Sequence, residues 1–264
     1  MADFYVGVDG GATHTRLRLA DADGNTLAEA RGARSSLTLG VEAAVRIVSD
    51  LLANACRRAF VPVETRPHIV CGLAGHRDVA RTQAFSSQMW EHGSIEVVSD
   101  GYAALLGAHE GRPGTLLVAG TGSIGMRLDD QDACTQVGGW GFPIGDEGGG
   151  AWLGWMALRE AVRAYDEPAR DTRFLSDLRI RCGGGHNDIV AWLSHGNATQ
   201  FAALAPHVVK AAAAGDAVAR DLVEKAGQEL ERLALLLDPE GDGPIALSGG
   251  LAEPLHPYLP EALR

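Results

Sequence analysis

The sequence predicts an α/β protein made of two related domains. A unit consisting of an apolar strand, a loop rich in glycine and threonine, and a second strand occurs at residues 4–21 and again at residues 115–128. Other short apolar runs alternate with segments of helical periodicity. Arg112-Pro113-Gly114 interrupts the chain between the two copies. We therefore expect an N-terminal domain at 1–112 and a C-terminal domain at 113–264.

The N-terminal half is predicted to contain a three-stranded meander followed by two more strands. Asp23-Gly24 supplies a hairpin turn, and the first glycine loop then forms the tip of an antiparallel hairpin. No helix follows that loop, in contrast to the usual order of strand, glycine loop and helix. The predicted elements are strands at 4–8, 15–21, 26–30, 68–71 and 95–98, and helices at 41–60 and 102–109.

The C-terminal half repeats the opening unit and is then rich in helices. Its last strand ends in the paired glycines Gly249-Gly250. The predicted elements are strands at 115–119, 124–128 and 245–247, and helices at 151–165 and within 205–237.

Composition and charge exclude several classes of protein. The chain has 264 residues, of which 46% are hydrophobic and 22% charged, as is usual for a soluble globular protein. The formal net charge of −11 argues against a nucleic-acid partner. The four cysteines form no CxxC pair, and no apolar leader or membrane-length run is present. We therefore expect a cytoplasmic protein with no membrane partner.

The two Gly/Thr loops have the composition of phosphate-binding hairpin tips. Glycines let backbone N–H groups converge on one anion, and hydroxyl groups add donors. Either loop alone could be a plain tight turn, but two such tips facing each other across a cleft would hold a triphosphate. Asp9 would then hold a magnesium ion through water. The candidate phosphate-binding residues are Gly10, Gly11, Thr13, Gly120, Thr121, Gly122 and Ser123.

Asp100 follows a predicted strand and opens a predicted helix. An aspartate in that position could be a helix N-cap. It could also be a general base that takes the proton of an acceptor hydroxyl. Ligands of open α/β sheets bind at the carboxyl ends of strands, and this position favours the second interpretation.

The segment 138–150 contains seven glycines among thirteen residues, together with Trp140, Phe142, Asp146 and Glu147. This composition suits a backbone that wraps closely around a small polar ligand, with carboxylates for hydroxyl groups or a cation. The alternative is a flexible loop, which would have no need of the two aromatic residues. The glycine pair Gly249-Gly250 would offer unobstructed backbone to a base or ribose.

In combination, these segments resemble the BadF/BadG/BcrA/BcrD-type ATPase family, and within it the N-acetylglucosamine and glucosamine kinases. The resemblance rests, in order along the chain, on VGVDGGATHTR, SDGYAALLGAH, VAGTGSIG, GGWGFPIGDEGGGAWLG and ALSGGL. It implies the actin-like (sugar kinase, Hsp70) fold, with two ribonuclease H-like domains and a mixed five-stranded sheet in each. ATP and sugar are expected in the cleft.

The resemblance also implies a role for each matching residue. Asp9 is expected to be the magnesium-associated aspartate and Asp100 the catalytic base. Gly249 and Gly250 correspond to the adenosine motif, and the two Gly/Thr loops to the phosphate loops. The sugar-binding residues that it implies are Ser35, Asp100, Thr121, Gly139 and Asp146.

Two departures from the family pattern bear on function. Ser35-Ser36-Leu37 stands where the N-acetylglucosamine kinases carry Asn-His-Trp, which changes the polar and the aromatic sugar contact. Relatives continue after the adenosine motif with a further strand and a helix. We expect this chain to be without them and to expose apolar surface, so that it is either marginally stable or covered by a partner subunit. A homodimer is the expected assembly.

The expected function is ATP- and Mg²⁺-dependent phosphorylation of the 6-hydroxyl of N-acetylglucosamine. A glucosamine kinase is the first alternative. The second alternative is an ATPase that activates another enzyme, as other members of the family do. Those activators bind iron–sulfur clusters through cysteines, and the dispersed cysteines of this chain offer no such ligand set.

Overall fold

The computed structural model describes residues 4–11, 14–62 and 65–264. The chain divides into two compact units, Met1–Glu110 and Gly111–Arg264. Each unit has its own hydrophobic core, since one buried cluster lies wholly in the first unit and the other wholly in the second. No helix in the described ranges is long and apolar enough to cross a membrane.

The first unit is a five-stranded mixed sheet with the strand order β3-β2-β1-β4-β5. The pairs β1–β2 and β2–β3 are antiparallel, which confirms the predicted meander, whereas β1–β4 and β4–β5 are parallel. Its elements are β1 (Tyr5–Gly10), β2 (His14–Ala20), β3 (Thr26–Ala33), α1 (Val41–Arg58), β4 (His68–Leu73), α2 (Val79–Met89), β5 (Ser94–Val98) and α3 (Asp100–His109).

Alternation of side chains along β1 and β2 decides which face of this sheet is the core. Val6 and Val8 on β1 and Leu17 and Leu19 on β2 are almost fully buried, while the residues between them are exposed. Helix α1 packs on β2 and β3 through an apolar face that includes Val48. Helix α3 packs on β1 and β4.

The second unit contains a four-stranded sheet in the order β8-β7-β6-β9 and most of the helices. The antiparallel pair β6–β7 repeats the opening hairpin, and β9 pairs parallel to β6. Its elements are β6 (Gly114–Ala119), β7 (Ser123–Leu128), β8 (Cys134–Gly138), α4 (Gly150–Asp166), α5 (Arg173–Arg181), α6 (His186–Ser194), α7 (Ala198–Ala202), α8 (Ala205–Ala213), α9 (Ala217–Leu237), β9 (Ile245–Ser248) and α10 (Ala252–Leu255).

The second sheet differs from the five-stranded sheet that the resemblance implies. In the part of the chain that the structure describes, β9 is an edge strand that pairs only with β6, so the sheet has four strands. The strand β8 was not predicted, because its residues 134–138 are mostly exposed and show no apolar alternation. Pairing with β7 defines this strand.

Candidate active site

The carboxyl ends of three parallel strands meet at one edge of the first sheet. Asp9 on β1 is in register with Gly72 on β4, and Gly72 is in register with Val98 on β5. Asp9 therefore lies at the same edge as the segment that follows β5, which contains Asp100. This edge is where ligands of open α/β sheets bind.

The first glycine loop connects two antiparallel strands, as predicted. Gly10 ends β1, and the N–H of Gly11 donates to the carbonyl of His14 across the turn at 3.2 Å. A Cβ at Gly10 would lie 2.3 Å from Ser35 Oγ and 2.4 Å from a methyl of Leu73, so a side chain there would displace these two buried residues. Thr13, the third predicted residue of this loop, lies outside the described residues.

Asp100 is not the N-cap of α3. The hydroxyl of Ser99 accepts from the N–H of Tyr102 at 2.8 Å and caps the helix, while Asp100 is its first residue. One carboxylate oxygen of Asp100 accepts from the N–H of Gly101 at 3.0 Å. The residue is half-buried. This arrangement removes the capping interpretation and is compatible with a base.

Gly72 positions α3 against the sheet, although this residue was not among the predicted site residues. A Cβ at this residue would lie 2.4 Å from the Cβ of Ala103 and 3.5 Å from the Cα of Asp100. Helix α3 and β4 therefore approach so closely that position 72 has no room for a side chain. A glycine inside an apolar strand is the sequence signal for such an approach.

Ser35 is buried beneath the first loop. Its Oγ lies 2.8 Å from Oγ1 of Thr15, which is itself 2.6 Å from the carbonyl of Ala33. The Thr15 hydroxyl can donate to that carbonyl or to Ser35 Oγ, one at a time, because it has a single proton. Ser35 is only 1% exposed, and its hydroxyl packs against Thr15 within the unit. A sugar contact by Ser35 stays a prediction.

The second glycine loop links β6 and β7 in the second unit. The N–H of Gly120 donates to the carbonyl of Gly122 at 2.9 Å and closes the turn. The first amides of α4, on Gly150 and Ala151, donate to the carbonyls of Gly120 and Thr121, each at 2.8 Å. The loop carbonyls are thus turned toward α4. No atom lies within 4 Å of a Cβ built at Gly120, so the space on that side of the residue is open.

Ser123 anchors this loop to the glycine-rich segment. Its hydroxyl donates to the carbonyl of Glu147 at 2.6 Å, and the residue is 5% exposed. The side chain therefore has a structural contact in the unit. A direct contact between Ser123 and a phosphate stays a prediction.

Asp146 lies directly against the second glycine loop. A Cβ at Gly122 would be 2.1 Å from a carboxylate oxygen of Asp146, so the glycine is required for this approach. The other carboxylate oxygen accepts from the N–H of Gly141 at 3.2 Å, and Asp146 has a left-handed φ of 66°. Gly139 is also left-handed and packs against Ile124. The segment 138–150 is therefore folded tightly around Asp146, and a contact between this segment and a sugar stays a prediction.

The turn after β9 also meets the carboxyl end of β6. Gly249 has a φ of 100°, and a Cβ there would lie 2.3 Å from the carbonyl oxygen of Ala119. The N–H of Leu251 donates to the same carbonyl at 2.9 Å. Because Ala119 directly precedes Gly120, the second glycine loop and the predicted adenosine motif adjoin within one unit. A Cβ at Gly250 would meet no atom within 4 Å.

The carboxylate of Asp9 is a ligand type that magnesium accepts. The aspartate is exposed at the edge of the first sheet, next to the first loop. In the described residues, no three His, Cys, Asp or Glu side chains gather as a metal-binding cluster. Magnesium keeps several waters and is held by one or two carboxylates together with substrate phosphates, so a single aspartate fits this ion.

Comparison with known proteins identifies the family. The sequence pattern of the BadF/BadG/BcrA/BcrD ATPase family matches residues 6–259 of the chain. The chain belongs to this family. The match includes both glycine loops, Asp100, Asp146 and the Gly249-Gly250 turn.

Two members similar to this chain are described as amino-sugar kinases. The glucosamine kinase of Vibrio cholerae is 31% identical over 97% of this chain and 88% of its own length. A crystal structure from Chromobacterium violaceum, provisionally described as an N-acetylglucosamine kinase, is 36% identical and has a TM-score of 0.84 over 98% of this chain and 91% of that chain.

A more distant structure supports the fold alone. The ROK hexokinase of Thermus thermophilus has a TM-score of 0.56 at 18% identity, over 98% of this chain and 85% of that chain. The chain therefore has the actin-like sugar-kinase fold of two α/β units. The BadF-type family assignment and this fold agree with the expectation from the motifs.

Proposed function

We propose that this chain is an ATP-dependent amino-sugar kinase that transfers the γ-phosphoryl group to the 6-hydroxyl of N-acetylglucosamine. Its similarity to kinases described as acting on glucosamine and N-acetylglucosamine supports the substrate class. Membership of an ATPase family supports ATP as the phosphoryl donor. A cytoplasmic location and a homodimeric assembly stay predictions from the sequence.

The position of Asp100 is the observation that carries the proposal. Ser99 caps α3, so the Asp100 carboxylate is not needed for the helix end. It lies at the edge of the sheet that also carries Asp9 and the first glycine loop.

Each residue then has a separate task in phosphoryl transfer. Asp100 accepts the proton of the sugar hydroxyl and orients its oxygen toward the γ-phosphorus. Backbone N–H groups of the two glycine loops bind phosphate oxygens. Asp9 would hold a magnesium ion, which would neutralise part of the phosphate charge. Most of the rate enhancement comes from positioning and charge stabilisation rather than covalent chemistry.

The sugar contacts are proposed to come from the segment 138–150, above all from Asp146. The segment Ser35-Ser36-Leu37 offers little to an N-acetyl group, because all three residues are buried and Leu37 belongs to the core of the first unit. Glucosamine, which has no acetyl group to accommodate, is therefore the second candidate substrate. A steady-state assay of ADP release with both sugars and with glucose ranks the candidates by kcat/KM.

The Asp100→Asn variant tests the base. We expect kcat to fall by about 10²-fold or more with little change in the KM for sugar, because the amide keeps the shape but cannot accept the proton. Asp50→Asn is the matched control, since Asp50 is an exposed residue on α1 in the same unit. Near-wild-type turnover in Asp100→Asn would remove the base assignment. ATP hydrolysis that no sugar stimulates would favour the enzyme-activator alternative.

A further inference from the structure

A cavity in the second unit is lined by none of the residues assigned above. Its volume is about 630 Å³, and α5, α8 and the segment before α9 line it. This volume is in the range of small-molecule sites. The cavity has an apolar part formed by residues such as Phe174 and Leu178, which are nearly buried. Its charged lining residues are Arg173, Asp177, Arg181, His207, Lys210 and Asp216.

The two carboxylates of the lining already have partners. Asp177 lies 4.0 Å from Arg173, one turn away on α5. Asp216 caps α9 by accepting from the N–H of Ala219 at 2.9 Å. Neither Arg181 nor Lys210 has an ion-pair partner within the described ranges. The cavity thus holds two unpaired cations from two different helices in a chain of net charge −11.

His207 lines the same cavity as these two cations. Burial, followed by the positive charges of Arg181 and Lys210, lowers the pKa of His207. Arg181 and Lys210 are exposed residues of one lining, and a bound anion would relieve the repulsion between their charges.

We propose that this cavity binds an organic phosphate monoester, with its phosphate on Arg181 and Lys210 and its organic part on Phe174 and Leu178. A phosphomonoester carries close to two negative charges at neutral pH and can pair with two cations at once. The arginine fork matches two phosphate oxygens, and the lysine ammonium adds a point charge. A monocarboxylate, with one negative charge, would leave one cation unpaired.

The test is an NMR titration that reads the imidazole of His207 in the full chain. The resonances are assigned by their loss in His207→Gln. Inorganic phosphate and glycerol 3-phosphate are the probes, and acetate is the comparison anion. We expect both phosphates to shift the His207 resonances and to raise the pKa of His207, because a bound anion offsets the charges of Arg181 and Lys210. The remaining charged groups around the ring are Arg173, Asp177 and Asp216.

Two substitutions distinguish binding in this cavity from a general effect of the charge of the chain. Lys210→Ala should weaken the binding of glycerol 3-phosphate by about tenfold or more, since one charge-assisted hydrogen bond is lost. Arg57→Gln removes an exposed cation of α1 in the other unit and should leave the titration unchanged. The proposal is overturned if millimolar phosphate leaves the wild-type His207 resonances in place, if acetate shifts them equally, or if both variants weaken binding alike. The wild-type titration decides even if Lys210→Ala does not fold.

Discussion

Gly72→Ala is expected to disable the enzyme by moving α3, which carries Asp100. The new Cβ would lie 2.4 Å from the Cβ of Ala103, whereas two carbon atoms in contact are about 3.5–4.0 Å apart. Helix α3 would have to move by about 1 Å or more. Misplacement of a catalytic group by this distance costs about 10²-fold in rate, and overpacking costs about 1–3 kcal/mol in the free energy of unfolding.

The assay combines steady-state kinase kinetics with thermal unfolding. Gly72→Ala should lower kcat by about 10²-fold and lower Tm by a few degrees. The double variant Gly72→Ala/Ala103→Gly should recover part of kcat, because it removes the closest contact and leaves the carbonyl oxygen of Ser99 at 3.3 Å. Gly107→Ala is the control, since a Cβ at this position of α3 meets no atom within 4 Å.

If Gly72→Ala keeps the wild-type kcat, the close contact between Gly72 and α3 does not determine where Asp100 lies, and the predicted role of Gly72 is wrong. A loss of stability with unchanged kcat would have the same meaning. A failure of the double variant to recover any activity would show that Ala103 is not the group that Gly72 must avoid. Gly107→Ala should retain kcat and be more stable by about 0.5–1 kcal/mol, as expected for alanine in a helix.

The remaining predictions concern the adenosine motif and acid stability. Gly249→Ala should destabilise the second unit, because the φ of this residue is 100° and a Cβ there would lie 2.3 Å from a carbonyl oxygen. Gly250→Ala should keep the wild-type Tm, because a Cβ there meets no atom within 4 Å, and should raise the KM for ATP. If both variants kept the wild-type Tm and raised the KM for ATP, the structural role predicted for Gly249 alone would be wrong. The hydrogen bond from Arg127 holds the pKa of Asp238 below its usual value. As the pH falls, the carboxylate of Asp238 is therefore protonated in the unfolded chain before it is protonated in the folded chain. The free energy of unfolding then decreases as the pH drops below about 4. Tm measured against pH should show a weaker acid decline in Asp238→Asn, and an equal decline would exclude this pair as a cause.

The sequence predicted the parts of the fold that have a strong period. The predicted helix 41–60 is observed as Val41–Arg58, and the predicted helix 151–165 as Gly150–Asp166. Apolar spacing predicted the first of these helices, and both helices bury one face. The strand β8 was missed, because its side chains are mostly exposed and only pairing with β7 defines it.

The candidate site was predictable in its residues and less so in their contacts. The motif resemblance selected Asp100, but Ser99 and Asp100 are both good N-caps, and only the structure shows that Ser99 is the one used. The buried hydroxyls of Ser35 and Ser123 could not be foreseen, because their partners are distant in sequence. Gly72 was missed although it interrupts an apolar strand, since one glycine does not indicate which helix approaches it.

The most direct test of the proposed activity is ³¹P NMR of the wild-type chain with ATP, Mg²⁺ and either N-acetylglucosamine or glucosamine. The account predicts that ADP and a sugar phosphomonoester on the 6-hydroxyl accumulate in equal amounts, and that neither accumulates with Asp100→Asn on the same timescale. Accumulation of ADP with inorganic phosphate in place of a sugar phosphate would contradict it.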